Sequence, residues 1–154
     1  MVMCWAMVLS LAAGCSTTQK RTYDVSVKND TGQPITVWLT KDGPPVEKGW
    51  RSPEQVAIIA PGYEERIGGM PVPAGKTAYT GPLSGEFEPY TTAWLRVYEG
   101  KYQRFSDLLA VSPKSPKRVD QPLDVGKNHI VVREKNGKLF AEWETPEPAT
   151  KAEK

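Results

Sequence analysis

Fourteen prolines and thirteen glycines interrupt this chain, and that punctuation constrains its fold more than any other feature. Proline inside a helix removes a hydrogen bond and clashes with the preceding turn, and glycine there costs about 1 kcal/mol relative to alanine. Long helices have few places to form. Short alternating runs have many. Tyr23-Asp24-Val25-Ser26-Val27-Lys28 puts Tyr23, Val25 and Val27 on one face, and the turn cluster Asn29 to Pro34 follows. Ile35 to Thr40 resumes the alternation until Lys41-Asp42-Gly43-Pro44-Pro45 ends it. Gln55 to Ala60 reads as a compact apolar strand stopped by Pro61-Gly62, with Tyr63 to Ile67 as its return. Gly68 to Pro89 is dense in glycine and proline and reads as a long loop holding a short strand near Thr77-Ala78-Tyr79.

The second half is clearer. Thr92 to Tyr98 is a strand that Glu99-Gly100-Lys101 turns into another at Tyr102 to Phe105. Ser106 to Leu109 is expected to form a short helical turn capped by Ser106, and Ser112 to Lys117 a loop. His129 to Lys135 and Lys138 to Trp143 flank Asn136-Gly137, the strongest short hairpin signal, because both residues tolerate positive φ. That hairpin places Leu139, Ala141 and Trp143 on one face. The tally is about eight or nine short strands, which predicts an all-β fold: a single antiparallel β-sandwich, immunoglobulin-like, or an open barrel.

The N-terminus reads differently. Met1 to Cys15 is nearly all apolar and uncharged, and the first basic residue is Lys20. The run is shorter than the ~20 residues that a membrane-spanning helix needs. Its length and its small residues at the end fit a secretory signal. Ala12-Ala13-Gly14-Cys15 resembles the lipobox of bacterial lipoproteins. In that family a diacylglycerol is linked to the cysteine sulfur and the chain is cut just before it. The family usually carries Leu three residues before the cysteine; here Ala12 stands there and Leu11 lies one position earlier. A basic n-region is also missing, which points to a start codon further upstream.

The resemblance implies a signal peptide over 1–14, lipidation at Cys15, and a flexible tether over 15–22, where Ser16-Thr17-Thr18-Gln19-Lys20-Arg21-Thr22 is polar. It also implies a cell-envelope location. Ser16, rather than aspartate, directly after the cysteine implies sorting to the outer membrane. Each buried CH₂ contributes ~0.8 kcal/mol, and two acyl chains hold a protein stably on a bilayer. The lipid at Cys15 is then the whole membrane contact.

Cleavage before Cys15 leaves 154 − 14 = 140 residues. Residues 145–154 are Pro, Ala, Thr, Glu and Lys, too polar to order themselves. The folded domain is thus expected over 23–144, about the size of one domain with one core. Its two cysteines, Cys4 and Cys15, both precede it. No disulfide and no cysteine-ligated metal is expected inside it.

The search for chemistry finds no complete catalytic or cofactor motif: no G-x-S-x-G, S-x-x-K, H-E-x-x-H, P-loop or dinucleotide fingerprint. No enzyme, cofactor or metal is expected. His129, the one histidine, reads as a polar residue at a turn-to-strand junction. In Glu64-Glu65 and in Glu86 with Glu88, at least one carboxylate of each pair reads as solvated rather than as half of a catalytic pair; adjacent strand residues such as Glu64 and Glu65 point to opposite faces. A net charge of +2 points to no dominant polyanionic partner, and no nucleic-acid partner is expected. Ser112-Pro113-Lys114-Ser115-Pro116-Lys117-Arg118 is the one basic cluster, read as a solvated loop with anionic headgroups or polymers as the alternative.

Tryptophan carries the remaining information. Trp38 lies opposite Ile35, Val37 and Leu39, and Trp94 opposite Ala93, Leu95 and Val97. Either both faces of those strands are covered, or the rings are exposed as in carbohydrate-binding modules, where rigid aromatics stack on sugars. Trp50, in the loop sequence Gly49-Trp50-Arg51-Ser52-Pro53, is the first candidate for ligand contact. Two functions result: a non-enzymatic envelope lipoprotein whose domain binds another envelope component, protein or glycan, or a glycan- or peptidoglycan-binding module using Trp50, Trp38 and Trp94.

Two further likenesses bear on fold alone. Leu123 to Val132 resembles the turn-then-strand phrase of bacterial immunoglobulin-like and transthyretin-like sandwiches. Asn29-Asp30-Thr31-Gly32, Val37-Trp38-Leu39, Asp42-Gly43, Ala60-Pro61-Gly62 and Arg66 together resemble the opening of the von Hippel-Lindau β-domain, without that family's later His-Trp element. Both imply a sandwich and no function.

Overall fold

The computed structural model describes residues 17–59, 69–102 and 104–144. The alternating segments form strands: β1 Gln19–Asn29, β2 Ile35–Lys41, β3 Met70–Val72, β4 Thr77–Phe87, β5 Ala93–Glu99, β6 Arg118–Pro122, β7 Gly126–Lys135 and β8 Lys138–Trp143. Two short helices join them, α1 Pro53–Ile59 and α2 Phe105–Leu109, with a 3-10 turn at Lys48–Trp50. The strands make two four-stranded sheets, ordered β4-β1-β7-β8 and β3-β2-β5-β6. This is an all-β sandwich. The pairings are antiparallel except β1 with β7, which run parallel from Tyr23↔Gly126 to Asn29↔Val132.

The period of two explains the core. Tyr23, Val25 and Val27 of β1, Ile130 and Val132 of β7 and Leu139 of β8 face inward from one sheet. Ile35, Val37, Leu95 and Val97 meet them from the other. The closing hairpin is as expected: Asn136 has φ 55° and Gly137 φ 71°, the double left-handed turn that Asn-Gly favours. Leu139 is buried and Ala141 half-buried, but Trp143 is 40% exposed at the sheet's rim.

Several expectations are corrected. Gln19 to Thr22, expected within a flexible tether over 15–22, are strand, because β1 begins at Gln19. Gln19 pairs with Phe87 and Lys20 with Glu86, and the hydroxyls of Thr22 and Ser84 are 2.7 Å apart. Backbone pairing with β4, not apolar content, orders these polar residues. Gln55 onward is helix rather than strand. Ser52 Oγ accepts from the Gln55 N–H at 3.2 Å, and Gln55 Oε1 accepts from the Ser52 N–H at 2.8 Å. This reciprocal cap, with Pro53 at the first helical position, starts a helix irrespective of the apolar run behind it. The return strand at Tyr63 to Ile67 lies outside the described residues.

The long loop expected over Gly68 to Pro89 is mostly strand. β4 runs through Gly81 and Pro82 because it is an edge, where proline's missing N–H breaks no ladder bond, and its register against β1 shifts between Asp24 and Ser26. Tyr102 to Phe105 does not return as a strand. It leads into α2, which starts one residue earlier than expected, after Arg104, without a side-chain cap from Ser106. β6 was not anticipated from the sequence. Its charged residues order by pairing with β5 from Trp94↔Pro122 to Tyr98↔Arg118.

Candidate functional site

The outer face of the β3-β2-β5-β6 sheet is where the unusual side chains gather. Cross-strand pairing sets Thr40 beside Trp94 and Pro122, Trp38 beside Arg96 and Asp120, and Thr36 beside Tyr98 and Arg118. Alternation that sends Val37, Leu95 and Val97 into the core necessarily sends Trp38, Trp94, Arg96 and Tyr98 outward. The two helices cover part of this face. Trp38, Tyr98 and Leu108 form a second apolar cluster, packed by Val56 of α1 and Phe105 of α2. The rings of Trp38 and Phe105 meet edge to face at 6.1 Å, and Trp38 Nε1 donates to the Arg51 carbonyl at 2.8 Å.

An ion network continues the face. Arg96 reaches Glu54 at 2.7 Å and Asp120 at 3.9 Å. Arg118 binds Asp120 bidentately, at 2.8 and 2.7 Å, and lies 5.3 Å from the Tyr98 ring centre. Burial works to raise the pKa of the Glu54 carboxyl. Hydrogen bonds from its own N–H, Ser52 and Arg96 outweigh that, so it is held below the ordinary glutamate value. Hydrogen bonding to Asp120 raises the Arg118 guanidinium further. The Arg96–Glu54 contact of this network pins α1 to the sheet.

Beside it opens a cleft of about 320 Å³ lined by Lys41, Asp42, Gly43, Ser52, Gln55, Trp94, Arg96 and Asp120. The volume is at the small end of ligand-sized sites, about 300–1,000 Å³. Trp94 supplies a half-buried aromatic edge. Arg96, Asp120, Asp42 and Gln55 supply donors and acceptors. Lys41, by contrast, is committed to the fold. Its ammonium is buried against the Glu47 carboxylate and the Glu86 carbonyl, 4.9 Å from the Phe87 ring centre.

The three tryptophans singled out from sequence are thus separated. Trp94 lines the cleft. Trp38 is 7% exposed beneath the helices, and Trp50 is 2% exposed in the main core. Trp50 lies 5.4 Å from both Tyr23 and Phe87 in edge-to-face packing, and its Nε1 donates to the Ser84 carbonyl at 3.0 Å. No exposed platform of Trp50, Trp38 and Trp94 exists: the covered-face alternative holds for Trp38, and Trp50, expected in a loop to contact a ligand, is packed in the core instead. Cys15 lies outside the described residues, as do Glu64 and Glu65. His129 is exposed on β7 beside Ser26 of β1, with no side-chain hydrogen bond between them. Among the described residues no group of three His, Cys, Asp or Glu is placed to hold a metal ion, and no helix is long and apolar enough to cross a membrane.

The cleft's polar residues carried no sequence signal, since Arg96, Asp120 and Gln55 meet only through strand pairing and the placement of α1. The capping box Ser52-Pro53-Glu54-Gln55 was a readable signal for α1, and with it for Glu54 and Gln55 on this face. No protein-family model matches the chain, and no curated protein matches it.

Proposed function

We propose that this protein is an envelope lipoprotein, anchored by lipid at Cys15, whose β-sandwich is a non-enzymatic binding domain for another envelope component. The observation that carries the reading is the uncharged apolar run ending in Ala12-Ala13-Gly14-Cys15, followed within four residues by an ordered strand at Gln19. A lipid on Cys15 holds that end of the sandwich within roughly 14 Å of the bilayer, the reach of four extended residues. The outer membrane is the proposed location, from Ser16. The non-enzymatic role is supported by the single histidine and the lack of any complete catalytic motif.

Mass spectrometry of protein recovered from bacterial membranes tests this. The expected result is an acylated N-terminal Cys15, with Cys15→Ala released to the soluble fraction. A mature chain starting elsewhere, or a Cys15→Ala protein that still sediments with membranes, overturns it.

A second reading, binding of a short glycan, is favoured by the cleft alone. Trp94 gives a sugar ring an apolar edge, and Asp42, Gln55, Arg96 and Asp120 give its hydroxyls partners. Titration of oligosaccharides against intrinsic fluorescence should show a change that Trp94→Ala removes. Saturable binding that survives Trp94→Ala eliminates the cleft as the site.

A further inference from the structure

Among the described residues, one end of the sandwich gathers most of the exposed lysines. β1 and β7 run from the Gln19 end to the far end, and β4 and β8 run back. The near end mixes Asp42, Glu88 and Asp124 with Lys20, Lys48 and Lys127, while the far-end loops and strand tips carry Lys76, Lys101, Lys114, Lys117, Lys135 and Lys138, all exposed. Backbone hydrogen bonds tie the far loops into one surface. Leu139 donates to Pro116 at 2.8 Å, Glu99 to Lys117 at 2.9 Å, Gly100 to Pro34 at 2.7 Å, and Asn29 to Lys76 at 2.8 Å. The carboxylates at this end are Asp30, Glu99 and Glu134. Asp30 already holds Arg133 at 3.1 Å and Glu99 holds Lys117 at 3.5 Å.

We infer that this far end binds an extended acidic polysaccharide. Lys135 and Lys138 are direct partners across the closing hairpin. Like charges in that position repel, and an anion lying between them relieves the repulsion. Beside Arg104 and Arg133, six of the cations here are lysines, hydrated point charges on flexible stems, which suit a mobile row of carboxylates or phosphates. The small net charge of the whole chain, +2, hides this surface, because carboxylates elsewhere in the chain offset it.

The positive end does not depend on lipidation. The choice of a glycan rather than a nucleic acid rests on the envelope reading above. On that reading the Gln19 end faces the bilayer and the six lysines face away from it, toward envelope polymers.

The test uses the full chain against immobilised polygalacturonate, with dextran as neutral polymer and double-stranded DNA as the other polyanion. Two triple variants remove the same charge from opposite ends: Lys114→Gln, Lys135→Gln and Lys138→Gln at the far end, and Lys20→Gln, Lys48→Gln and Lys127→Gln at the near end. All six side chains are exposed, and circular dichroism confirms that each variant is folded. The expected result is polygalacturonate binding that weakens with salt, falls at least tenfold in the far-end variant, and changes less than twofold in the near-end variant. Equal loss in both variants, no loss in the far-end variant, or equal binding of dextran overturns the inference. DNA binding tighter than polygalacturonate overturns the glycan assignment, and it is read separately from the mass spectrometry of Cys15.

Discussion

Trp50 stands in a sequence with every mark of a surface loop and is 2% exposed. Glycine and proline around it report the backbone's turns, whereas burial is decided by what lies across the chain, here Tyr23, Phe87 and the Ser84 carbonyl. Gly85 completes the arrangement. A Cβ there would press on the indole of Trp50 and stand 2.9 Å from Glu47 Oε2. Gly85→Ala should therefore destabilise the domain by about 1–3 kcal/mol through overpacking, seen as a lower urea midpoint with unchanged slope. Glu47 also neutralises buried Lys41 and accepts from the Glu86 N–H at 3.1 Å. Glu47→Ala leaves a buried cation and a backbone donor unpaired, a loss of about 3–5 kcal/mol. Lys41→Met fills the same space without a charge and should cost distinctly less in the same urea titration. Equal losses would mean that the pair does not act as a unit.

At the level of elements, pattern and cap competed over Gln55 to Ile59, and the cap prevailed. Apolar content permits strand or helix in so short a run, but Ser52 and Gln55 satisfy each other's N–H groups in the helical arrangement. Ser52→Ala should cost about 0.5–2 kcal/mol and loosen α1 from Trp38. The indole fluorescence of Trp38 should shift to the red; an unshifted spectrum would separate the cap from the packing. The β7-β8 hairpin tests the opposite case, where local chemistry and tertiary packing agree. Gly137→Val forces a β-branched side chain to φ 71°, at about 1–3 kcal/mol. Trp143→Ala should cost less than Leu139→Ala, because Trp143 is 40% exposed and Leu139 1%. A thermal melt that ranks them the other way would place Trp143 in the core.

For the molecule as a whole, stability rests on the inter-sheet core and on the outer-face cluster under the two helices. No cysteine lies between residues 16 and 154, so no covalent link within the domain assists them. The domain should melt in one cooperative transition, unchanged within a degree by reductant or chelator. A drop with either agent would mean that a thiol or metal contributes after all. Among the described residues both helices lie against the β3-β2-β5-β6 sheet. Their placement gives that sheet its charged rim, from which the cleft beside Trp94 follows.

Fold class was legible in the sequence because a period of two, frequent turns and Asn136-Gly137 are local properties: each acts within a few residues through sterics and side-chain direction. The inward faces of β1, β2 and β5 and the closing hairpin were readable for that reason. The parallel pairing of β1 with β7, the ordering of Gln19 to Thr22, the strand through Gly81-Pro82 and the existence of β6 were decided by tertiary structure. Each depends on a backbone partner distant in sequence, and hydrogen-bond partners leave no periodic trace in the strand that they order. The same holds for the functional surfaces. Burial of Trp50 and Trp38, the meeting of Trp94 with Arg96, Asp120 and Gln55, and the gathering of six lysines at one end arise from long-range pairing, which alone decides which exposed side chains become neighbours.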